Sequence, residues 1–493
     1  MKPLSSSTAA QELASRRQFL ARSGLGFGTL AMAYLLQTDG LLASPDAAPS
    51  PGSSDLRPRP GHFPAQARAV ILLMQNGGPS QVDLFDPKSE LQKRNGQKYP
   101  SKFESFQPGS DANLLMACPY TFRRYGQCGM EMSVLLPQLG GVADELCMIR
   151  SMVSDNNNHP QALRCINTGK IFPGRPTLGA WVSYALGTEN QNLPAYVVLR
   201  DPDGYNNGGT MLWENGWLPA QFRGTEIQSR GAAILNLHPA VAAPDGIQRN
   251  NLDLLASLNE ERRKVYSGES ELEARIRNYE LAARMQLRAD TVLNLSGETA
   301  ATRKLYGLDN PTTANFGTRC LMARRLVESG VRFVQVLAPV THGGMPWDHH
   351  SDLKPGLAKV CPQVDQPSAA LILDLKERGL LESTIVLWTG EFGRLPISQG
   401  GTGRDHNRHA FTLLLAGGGF KAGHAHGATD EFSYQAIQDR VTCPSLLATL
   451  LHQLGLDHTQ LAYRHNGRDE TLTDAAVTRA RVVSALLQRP MKG

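Results

Sequence analysis

The sequence predicts an α/β protein with a doubly wound, mostly parallel central sheet and helices on both faces. Short apolar runs, which are typical of buried parallel strands, alternate with segments of helical periodicity. The runs that predict strands are residues 69–74, 146–149, 196–200, 331–337, 385–388 and 410–416. The segments that predict helices are residues 132–144, 161–168, 251–288, 316–330, 365–379 and 445–454. Polar clusters follow several of the runs, where an open α/β sheet binds its ligands.

The run Ile385–Trp388 is followed by the most informative of these clusters. Glu391 comes at the predicted end of this strand, between two glycines that allow a sharp turn. Asp405, His406 and His409 come a few residues later, on what we predict to be the next loop. A carboxylate at a strand end with Asp and His beside it is a usual way to hold a metal ion.

Two more clusters follow other predicted strands. After the first strand, the glycines of Asn76–Ser80 allow backbone N–H groups to approach an anion, and Asp83, or less favourably Asp86, is placed to reach a metal ion. After the strand of residues 331–337, Asp348 and His350 are candidate ligands of one ion, with His349 or Asp352 nearby.

A third unit of strand, polar loop and helix surrounds His159. Residues 155–160 lead into the predicted helix Gln161–Thr168, which Gly169 closes. The N-terminus of that helix would offer N–H groups to an anion, with Asn158 and His159 at its mouth.

Each of these features also has a purely structural explanation. Glu391 could pair with Arg394 or Arg404, the nearby histidines could be surface loop residues, and His159 could cap its helix or pack in the core. Together, however, the clusters predict one polar functional site.

Composition and charge exclude some classes of function. The chain has 493 residues, 41% of them hydrophobic and 19% charged, which suits a soluble globular protein with an ample core. The formal net charge is only +5, and no basic tract is interleaved with aromatic residues, so nucleic-acid binding is not indicated. The seven cysteines form no CxxC pair. Cys118 and Cys128 could bridge in an oxidising compartment, and we expect most of the others to be buried.

The N-terminus predicts export. Ser15–Leu20 contains the pair Arg16-Arg17 and precedes a weakly apolar, Gly/Ala-rich run from Ser23 to Leu36. This pattern resembles a twin-arginine signal, in which the arginine pair is recognised by the export machinery. The apolar run is too short for a comfortable membrane span. We therefore expect a periplasmic or secreted protein without a stable membrane span in the mature chain, and cleavage near Ala43.

The predicted organisation has four parts. Residues 1–43 form the signal region, residues 44–62 a Pro/Ser-rich linker and residues 476–493 a C-terminal tail. The α/β domain spans residues 63–475 and carries an insertion of about residues 201–300, whose Gly/Asn/Trp-rich start is a candidate lining for a substrate pocket.

The motifs place this domain near a known superfamily. The helix and strand of residues 364–393 resemble the signature of sulfatases and other alkaline-phosphatase-superfamily enzymes, and residues 441–457 are similar to a later helix of theirs. Residues 158–169 are similar to the segment in which sulfatases carry their nucleophile. The resemblance implies an alkaline-phosphatase-like fold and a divalent metal ion, such as Zn²⁺, Ca²⁺, Mg²⁺ or Mn²⁺.

A closer resemblance covers nearly the whole chain. The twin-arginine start and five further motifs are together similar to an exported bacterial family known as domain of unknown function 1501. The five are Gly77–Lys88, Cys320–Glu328, Trp347-Asp-x-His350, Gly390-Glu-Phe-Gly-Arg394 and Gly403-Arg-Asp-His406.

The sequence departs from active sulfatases and phosphatases at important positions. Asn158 or His159 stands where a sulfatase has Cys or Ser and a phosphatase has Ser or Thr. Glu391-Phe392 replaces a metal-binding Asp-His pair, and the Asp expected after the first strand is replaced near Asn76. The fold expectation survives these changes, whereas the activity expectation is weakened, because function depends on sites and not on folds.

The leading hypothesis is a periplasmic, metal-dependent hydrolase of sulfate or phosphate esters, acting on a small-molecule or glycan ester. We expect one or two divalent cations, held by Asp348, His350, Glu391, Asp405 and His406, with Asp83 as an optional further ligand. The predicted acid/base residues are His159 and His409, and the predicted substrate-binding residues are Asn158, Ser80 and Arg404. One alternative is a non-catalytic protein that binds anionic glycans or a protein partner. A weaker alternative is a phosphomutase-type transferase with His159 as the phosphate carrier.

Overall fold

The computed structural model describes residues 56–110, 112–230, 247–265, 276, 281 and 292–489. The chain divides into units of residues 1–53 and 54–493, and the description below concerns the second unit. The predicted signal, its cleavage near Ala43 and most of the predicted linker lie outside the described residues. So does most of the predicted helix 251–288 beyond Val265.

Seventeen strands occur in the described residues. They are β1 Ala69–Met74, β2 Phe122–Tyr125, β3 Met130–Ser133, β4 Leu146–Val153, β5 Tyr196–Leu199, β6 Thr225–Ile227, β7 Phe333–Leu337, β8 Thr384–Thr389, β9 Gly393–Gln399, β10 Gly403–Asn407, β11 Phe411–Ala416, β12 His424–His426, β13 Ala428–Thr429, β14 Ala436–Gln438, β15 Val441–Thr442, β16 Ala462–His465 and β17 Arg468–Thr471. All six predicted strands are present among them.

Nine of these strands form the central sheet, in the order β12-β4-β11-β8-β1-β7-β5-β6 with β15 also paired to β4. Only β11 runs antiparallel to its neighbours, β4 and β8. The predicted mostly parallel sheet is therefore confirmed. The apolar strands β1, β5, β7 and β8 are buried along their whole length, as expected for strands covered on both faces.

Helices cover both faces of this sheet. The α-helices of the described residues are α1 Gln81–Leu84, α2 Ser89–Lys93, α3 Pro137–Gly141, α4 His159–Thr168, α5 Leu178–Leu186, α6 Ile247–Val265, α7 Ala300–Leu305, α8 Ala314–Glu328, α9 Leu353–Glu377, α10 Cys443–Gln453 and α11 Ala475–Thr478. Successive residues of β1 alternate between two cores. Val70 and Leu72 pack with α4, α5 and α10 on one face, while Ile71 and Leu73 pack with α8 and α9 on the other.

The structure corrects two local predictions. The predicted helix 132–144 is shorter than expected: its first two residues belong to β3, which pairs with β2 as a hairpin, and its helical part is α3 followed by a short 3-10 helix, Ala143–Glu145. The predicted loop that carries Asp405 and His406 is instead strand β10, which pairs with β9 in a second hairpin. Polar residues dominate β10, so its sequence lacks the apolar signal of a strand, and the pairing with β9 determines its conformation.

The structure also describes the cysteines and the helix lengths. Cys118 and Cys128 are free thiols, so the suggested bridge between them is absent, and the other five cysteines are buried. Within the part of the chain that is described, no helix combines the length and apolar character needed to cross a membrane.

The first residue of β9, Gly393, has no room for a side chain. A Cβ atom there would lie 2.2 Å from Oε1 of Gln81 and 2.3 Å from the backbone oxygen of Ala410. We expect Gly393→Ala to lower the free energy of unfolding by about 1–3 kcal/mol, because backbone must move. Urea denaturation measures this change. Gly297→Ala, where an added Cβ meets open space, is the control, and equal effects of the two substitutions would contradict the prediction.

Candidate metal centre

The carboxyl ends of three central strands, β1, β7 and β8, lie beside one another at one end of the sheet. Met74, the last residue of β1, pairs with Leu337 of β7 on one side and with Thr389 of β8 on the other. The segments that leave these strands therefore emerge together. They bring Asp348 and Glu391 to the same place, as the sequence predicts.

One oxygen of Asp348 lies at the centre of a cluster of histidines. Its Oδ1 is 3.0 Å from Nε2 of His350, 3.2 Å from Nε2 of His406 and 3.4 Å from Nε2 of His159. The Nε2 atoms of His350 and His406 are themselves 3.0 Å apart. Asp348 and His350 lie in the loop after β7, His159 begins α4 and His406 lies in β10, so three separate segments supply the four atoms.

The other ring nitrogen of each histidine is held by an oxygen acceptor. Nδ1 of His159 is 2.6 Å from Glu391 Oε1, Nδ1 of His350 is 2.5 Å from Gln399 Oε1, and Nδ1 of His406 is 2.6 Å from the Asn157 carbonyl oxygen. These partners imply that each Nδ1 carries a proton and donates it. In the neutral tautomer, each Nε2 then presents a lone pair toward Asp348.

This arrangement requires a cation among the four atoms. Three lone pairs and a carboxylate oxygen at 3.0–3.4 Å repel one another unless a proton or a metal ion lies between them. Three imidazole nitrogens and one carboxylate oxygen form a donor set that suits a divalent transition metal ion such as Zn²⁺. The histidines also have the outer hydrogen bonds that orient metal ligands.

The protonation of the cluster responds to its burial and its charges. Burial lowers the pKa of His159, but its hydrogen bonds to the carboxylates of Asp348 and Glu391 outweigh burial and raise that pKa above its ordinary value. Burial raises the pKa of Asp348, and the Arg394 charge with the three histidine contacts holds it well below its usual range. A metal ion would therefore meet an ionised Asp348 and would displace a proton from His159.

The carboxylate of Glu391 accepts hydrogen bonds from backbone N–H groups rather than from an arginine. Its carboxylate accepts hydrogen bonds from the N–H groups of Gly77, at 2.9 and 3.2 Å, and Gly78, at 3.3 Å, as well as from His159. The glycine N–H groups that the sequence offers to an external anion are thus used by this internal carboxylate. Glu391 is fully buried and orients His159.

Three predicted site residues form a separate buried group. Arg404 donates from Nε and Nη2 to the two oxygens of Asp83, at 2.8 and 3.0 Å, and Ser80 donates its hydroxyl to the same carboxylate at 2.5 Å. All three are buried. The structure therefore does not bring Asp83, Ser80 and Arg404 into the cluster around Asp348, and their assigned roles stay predictions.

Asp405 holds a neighbouring segment in place. Its Oδ2 accepts hydrogen bonds from the N–H groups of Phe106 and Gln107, at 2.7 and 2.9 Å, and from the Ser105 hydroxyl, at 3.2 Å. The Phe106 ring stacks on His406 with centroids 4.8 Å apart, and Phe106 is 37% exposed. Asp405 lies near His350 and His406, but its oxygens already accept several hydrogen bonds.

The two remaining predicted residues lie at the margin of the cluster. Nε2 of His409 is 2.9 Å from Glu104 Oε2, and the same oxygen pairs with Arg408 at 2.9 Å. His409 is partly exposed. Asn158 is the N-cap of α4 through its backbone, and its side chain makes no capping hydrogen bond. Their catalytic and substrate-binding roles are tested by none of these contacts.

Four further residues of this site are not among the predicted site residues. Arg394 and Gln399 are polar residues of β9 that orient Asp348 and His350, and Asn157 contributes only its backbone oxygen. Asn76 is fully buried, and both polar atoms of its side chain lack a hydrogen-bond partner among the described residues. Only Asn76 carries a usable signal in the sequence, since it directly follows the first strand.

Comparison with known proteins identifies the family. The model of the family described as "Protein of unknown function (DUF1501)" matches residues 67–487. The chain therefore belongs to this family, which confirms the resemblance predicted from the sequence. A search of curated proteins found no match.

The chain is also similar to solved structures, among them three from different bacteria. A phosphonate monoester hydrolase from Silicibacter pomeroyi has 10% identity and a TM-score of 0.35, with 86% of this chain and 77% of that chain covered. The alkaline phosphatase of the Antarctic bacterium TAB5 has 9% identity and a TM-score of 0.32, covering 80% and 99%. An alkaline-phosphatase-superfamily protein from Vibrio parahaemolyticus has 10% identity and a TM-score of 0.33, covering 88% and 78%. Likeness at this level bears on neither substrate nor mechanism.

Burial of His406 makes the metal-free protein sensitive to acid. Burial lowers the pKa of His406 to about 3, whereas the unfolded chain has an ordinary histidine pKa near ~6.5. The unfolded state therefore binds a proton first, and stability present above about pH 6.5 is lost as the pH falls toward 3. We expect a slope approaching about 1.4 kcal/mol per pH unit from this residue. Urea denaturation of chelator-treated protein between pH 7 and 4 measures it, and an unchanged slope in His406→Gln would refute the assignment.

Proposed function

We propose that this protein is a metal-dependent hydrolase of sulfate or phosphate esters. The observation that carries the proposal is the convergence of His159, His350 and His406 on Oδ1 of Asp348. Three imidazoles favour Zn²⁺ or a similar transition metal ion over Ca²⁺ and Mg²⁺, which prefer oxygen ligands. When bound, such an ion would polarise the ester and neutralise developing negative charge.

The side chains around the centre supply orientation and proton transfer. Glu391 orients the His159 ring through Nδ1, and the carbonyl of Asn157 does the same for His406. Among the predicted acid/base residues, His409 is partly exposed and paired with Glu104, so it is available to donate a proton to a leaving group. His159 is committed to the centre by both of its nitrogens. No Ser, Thr or Cys stands at the start of α4, so we propose direct attack by water.

The exposure of the four groups indicates the side from which a substrate would approach the centre. Asp348 and His350 are the most exposed of the four groups, at 13% and 21% of their side chains, and they define the open side. An anionic ester oxygen would approach the ion from that side. We propose a small-molecule or glycan ester as the substrate, and we place the protein in the periplasm or outside the cell because of its twin-arginine-like N-terminus.

Removal of a proposed ligand tests the hydrolase. We expect the purified protein to contain a transition metal ion and to hydrolyse 4-nitrophenyl sulfate or 4-nitrophenyl phosphate. Asp348→Asn and His406→Gln should lower metal affinity by more than ~100-fold and abolish turnover, since each removes a direct ligand. Elemental analysis and release of 4-nitrophenol measure these effects. Asp469→Asn, at an exposed pair with Arg464, is the control.

Two outcomes would count against the hydrolase. Metal-free wild-type protein, folded and offered excess Zn²⁺ and Mn²⁺, would contradict the proposed centre. Stoichiometric metal without turnover of sulfate or phosphate esters would favour the alternative, a non-catalytic protein that binds anionic glycans or a protein partner.

The proposed location has a separate test. In a bacterial host with a functional twin-arginine pathway, we expect the wild-type chain in the periplasmic fraction. The double substitution Arg16→Lys/Arg17→Lys should retain it in the cytoplasm, because the pair is the recognised element. Immunoblots of cell fractions measure the distribution, with Arg22→Lys as the control. Export of the double variant at the wild-type level would contradict the proposal.

A further inference from the structure

We infer that this centre takes one divalent metal ion, and that the guanidinium group of Arg394 is a built-in cation in the place of a second. The inference deepens the proposed function and rests on it. It concerns the number of ions and the residue that sets this number, which neither the family match nor the structural neighbours assign.

Arg394 has the surroundings of a bound cation. It is 1% exposed, and each of its donor nitrogens contacts oxygen. Nε donates to the Gly78 carbonyl at 3.0 Å and Nη1 donates to the Arg404 carbonyl at 3.1 Å. Nη2 donates to Asp348 Oδ1 at 2.6 Å, to the Trp347 carbonyl at 3.3 Å and to the Gly77 carbonyl.

These five acceptors are the kind of oxygen ligands that hard divalent cations use. Four are backbone carbonyls and one is a carboxylate, as in many Ca²⁺ sites. In this protein the guanidinium group of Arg394 occupies the site. It also neutralises Asp348 from within the protein, since the Arg394 side chain is buried. Arg394 is therefore a positioning residue, since it acts through Asp348 and the loops after β1 and β7.

The other carboxylates near the centre are already neutralised. Asp83 pairs with Arg404 through both oxygens. Glu391 accepts from two backbone N–H groups and from His159. Asp405 accepts from four donors, which include the N–H of His406. Asp348 is itself paired with Arg394, but its Oδ1 is the carboxylate oxygen that faces all three imidazole nitrogens. It is therefore the carboxylate best placed to bind an external ion, which favours a single metal ion.

The histidines also indicate a single metal ion. Two groups of residues have suitable spacing for a metal ion, namely His159 with Asp348 and His406, and His350 with Asp405 and His406. Both need His406, whose Nδ1 is bonded to the Asn157 carbonyl. His406 has one free nitrogen and serves one ion. The two groups therefore belong to one centre. Its ligands are His159, Asp348 and His406, with His350 as the fourth.

The number of ions in the wild-type protein is the first test. Purified full-length mature protein is saturated with Zn²⁺, passed through a desalting column and analysed by elemental analysis and native mass spectrometry. We expect one ion per chain. Two ions per chain, with both lost in His406→Gln, would overturn the inference while the proposed hydrolase stands. No bound ion would overturn both the inference and the proposed centre.

The second test vacates the site of the guanidinium group. Arg394→Ala leaves four carbonyls and Asp348 without their cation, so we expect this variant to bind one Ca²⁺ per chain in addition to its Zn²⁺. Millimolar Ca²⁺, or guanidinium ion at the same concentration, should raise its Tm, whereas the wild-type Tm stays unchanged. Arg319→Ala, which removes another fully buried arginine paired with Asp201, is the matched control and should gain no Ca²⁺.

The outcomes of this second test are distinct. Extra Ca²⁺ and a higher Tm in Arg394→Ala alone support a cation site at Arg394. A variant that binds no Ca²⁺ and responds to neither cation overturns that role. A variant that fails to fold leaves the ion count of the wild-type protein as the deciding measurement, because two ions there already contradict the inference.

Discussion

The buried guanidinium group of Arg394 connects the parts of this molecule that meet at the edge of the central sheet. It contacts the loop after β1 through Gly77 and Gly78, the loop after β7 through Trp347 and Asp348, and the backbone of β10 through Arg404. Loss of one partner of a buried ion pair typically costs about 3–5 kcal/mol, because it leaves an uncompensated charge. The position of Asp348, and with it the geometry of the histidine cluster, depends on this one contact set.

The other buried carboxylates of the site are also paired or hydrogen-bonded within the protein. Asp83 pairs with Arg404, Glu391 is held by glycine N–H groups, and Asp405 is held by the segment that carries Phe106. A buried carboxylate is stable only when it is paired or hydrogen-bonded, so these residues are structural as well as polar. Because the other three carboxylates are held elsewhere, Asp348 is the carboxylate that faces the three imidazole nitrogens.

The start of α4 separates this chain from esterases that use a side-chain nucleophile. His159 lies at that position, with one nitrogen on Glu391 and the other toward Asp348. A residue that is oriented by one carboxylate and directed at another is well suited to be a metal ligand. In the proposed reaction, water rather than a side chain therefore attacks the ester. The acid/base role falls to His409, which is partly exposed and outside the cluster.

The sequence by itself determined the fold class, the strands of the sheet and the family. Apolar runs and helical periodicity are local properties of the sequence. The carboxyl ends of parallel strands lie at one end of the sheet, so the residues that follow these strands come together. Asp348, His350, His406 and Glu391 were predicted for this reason. Only the tertiary structure decided the partner of each residue. Asp83 and Glu391 have similar chemistry and similar positions after strands, yet Arg404 neutralises one and backbone N–H groups hold the other. Such pairings join residues more than 300 positions apart, across which local sequence carries no signal.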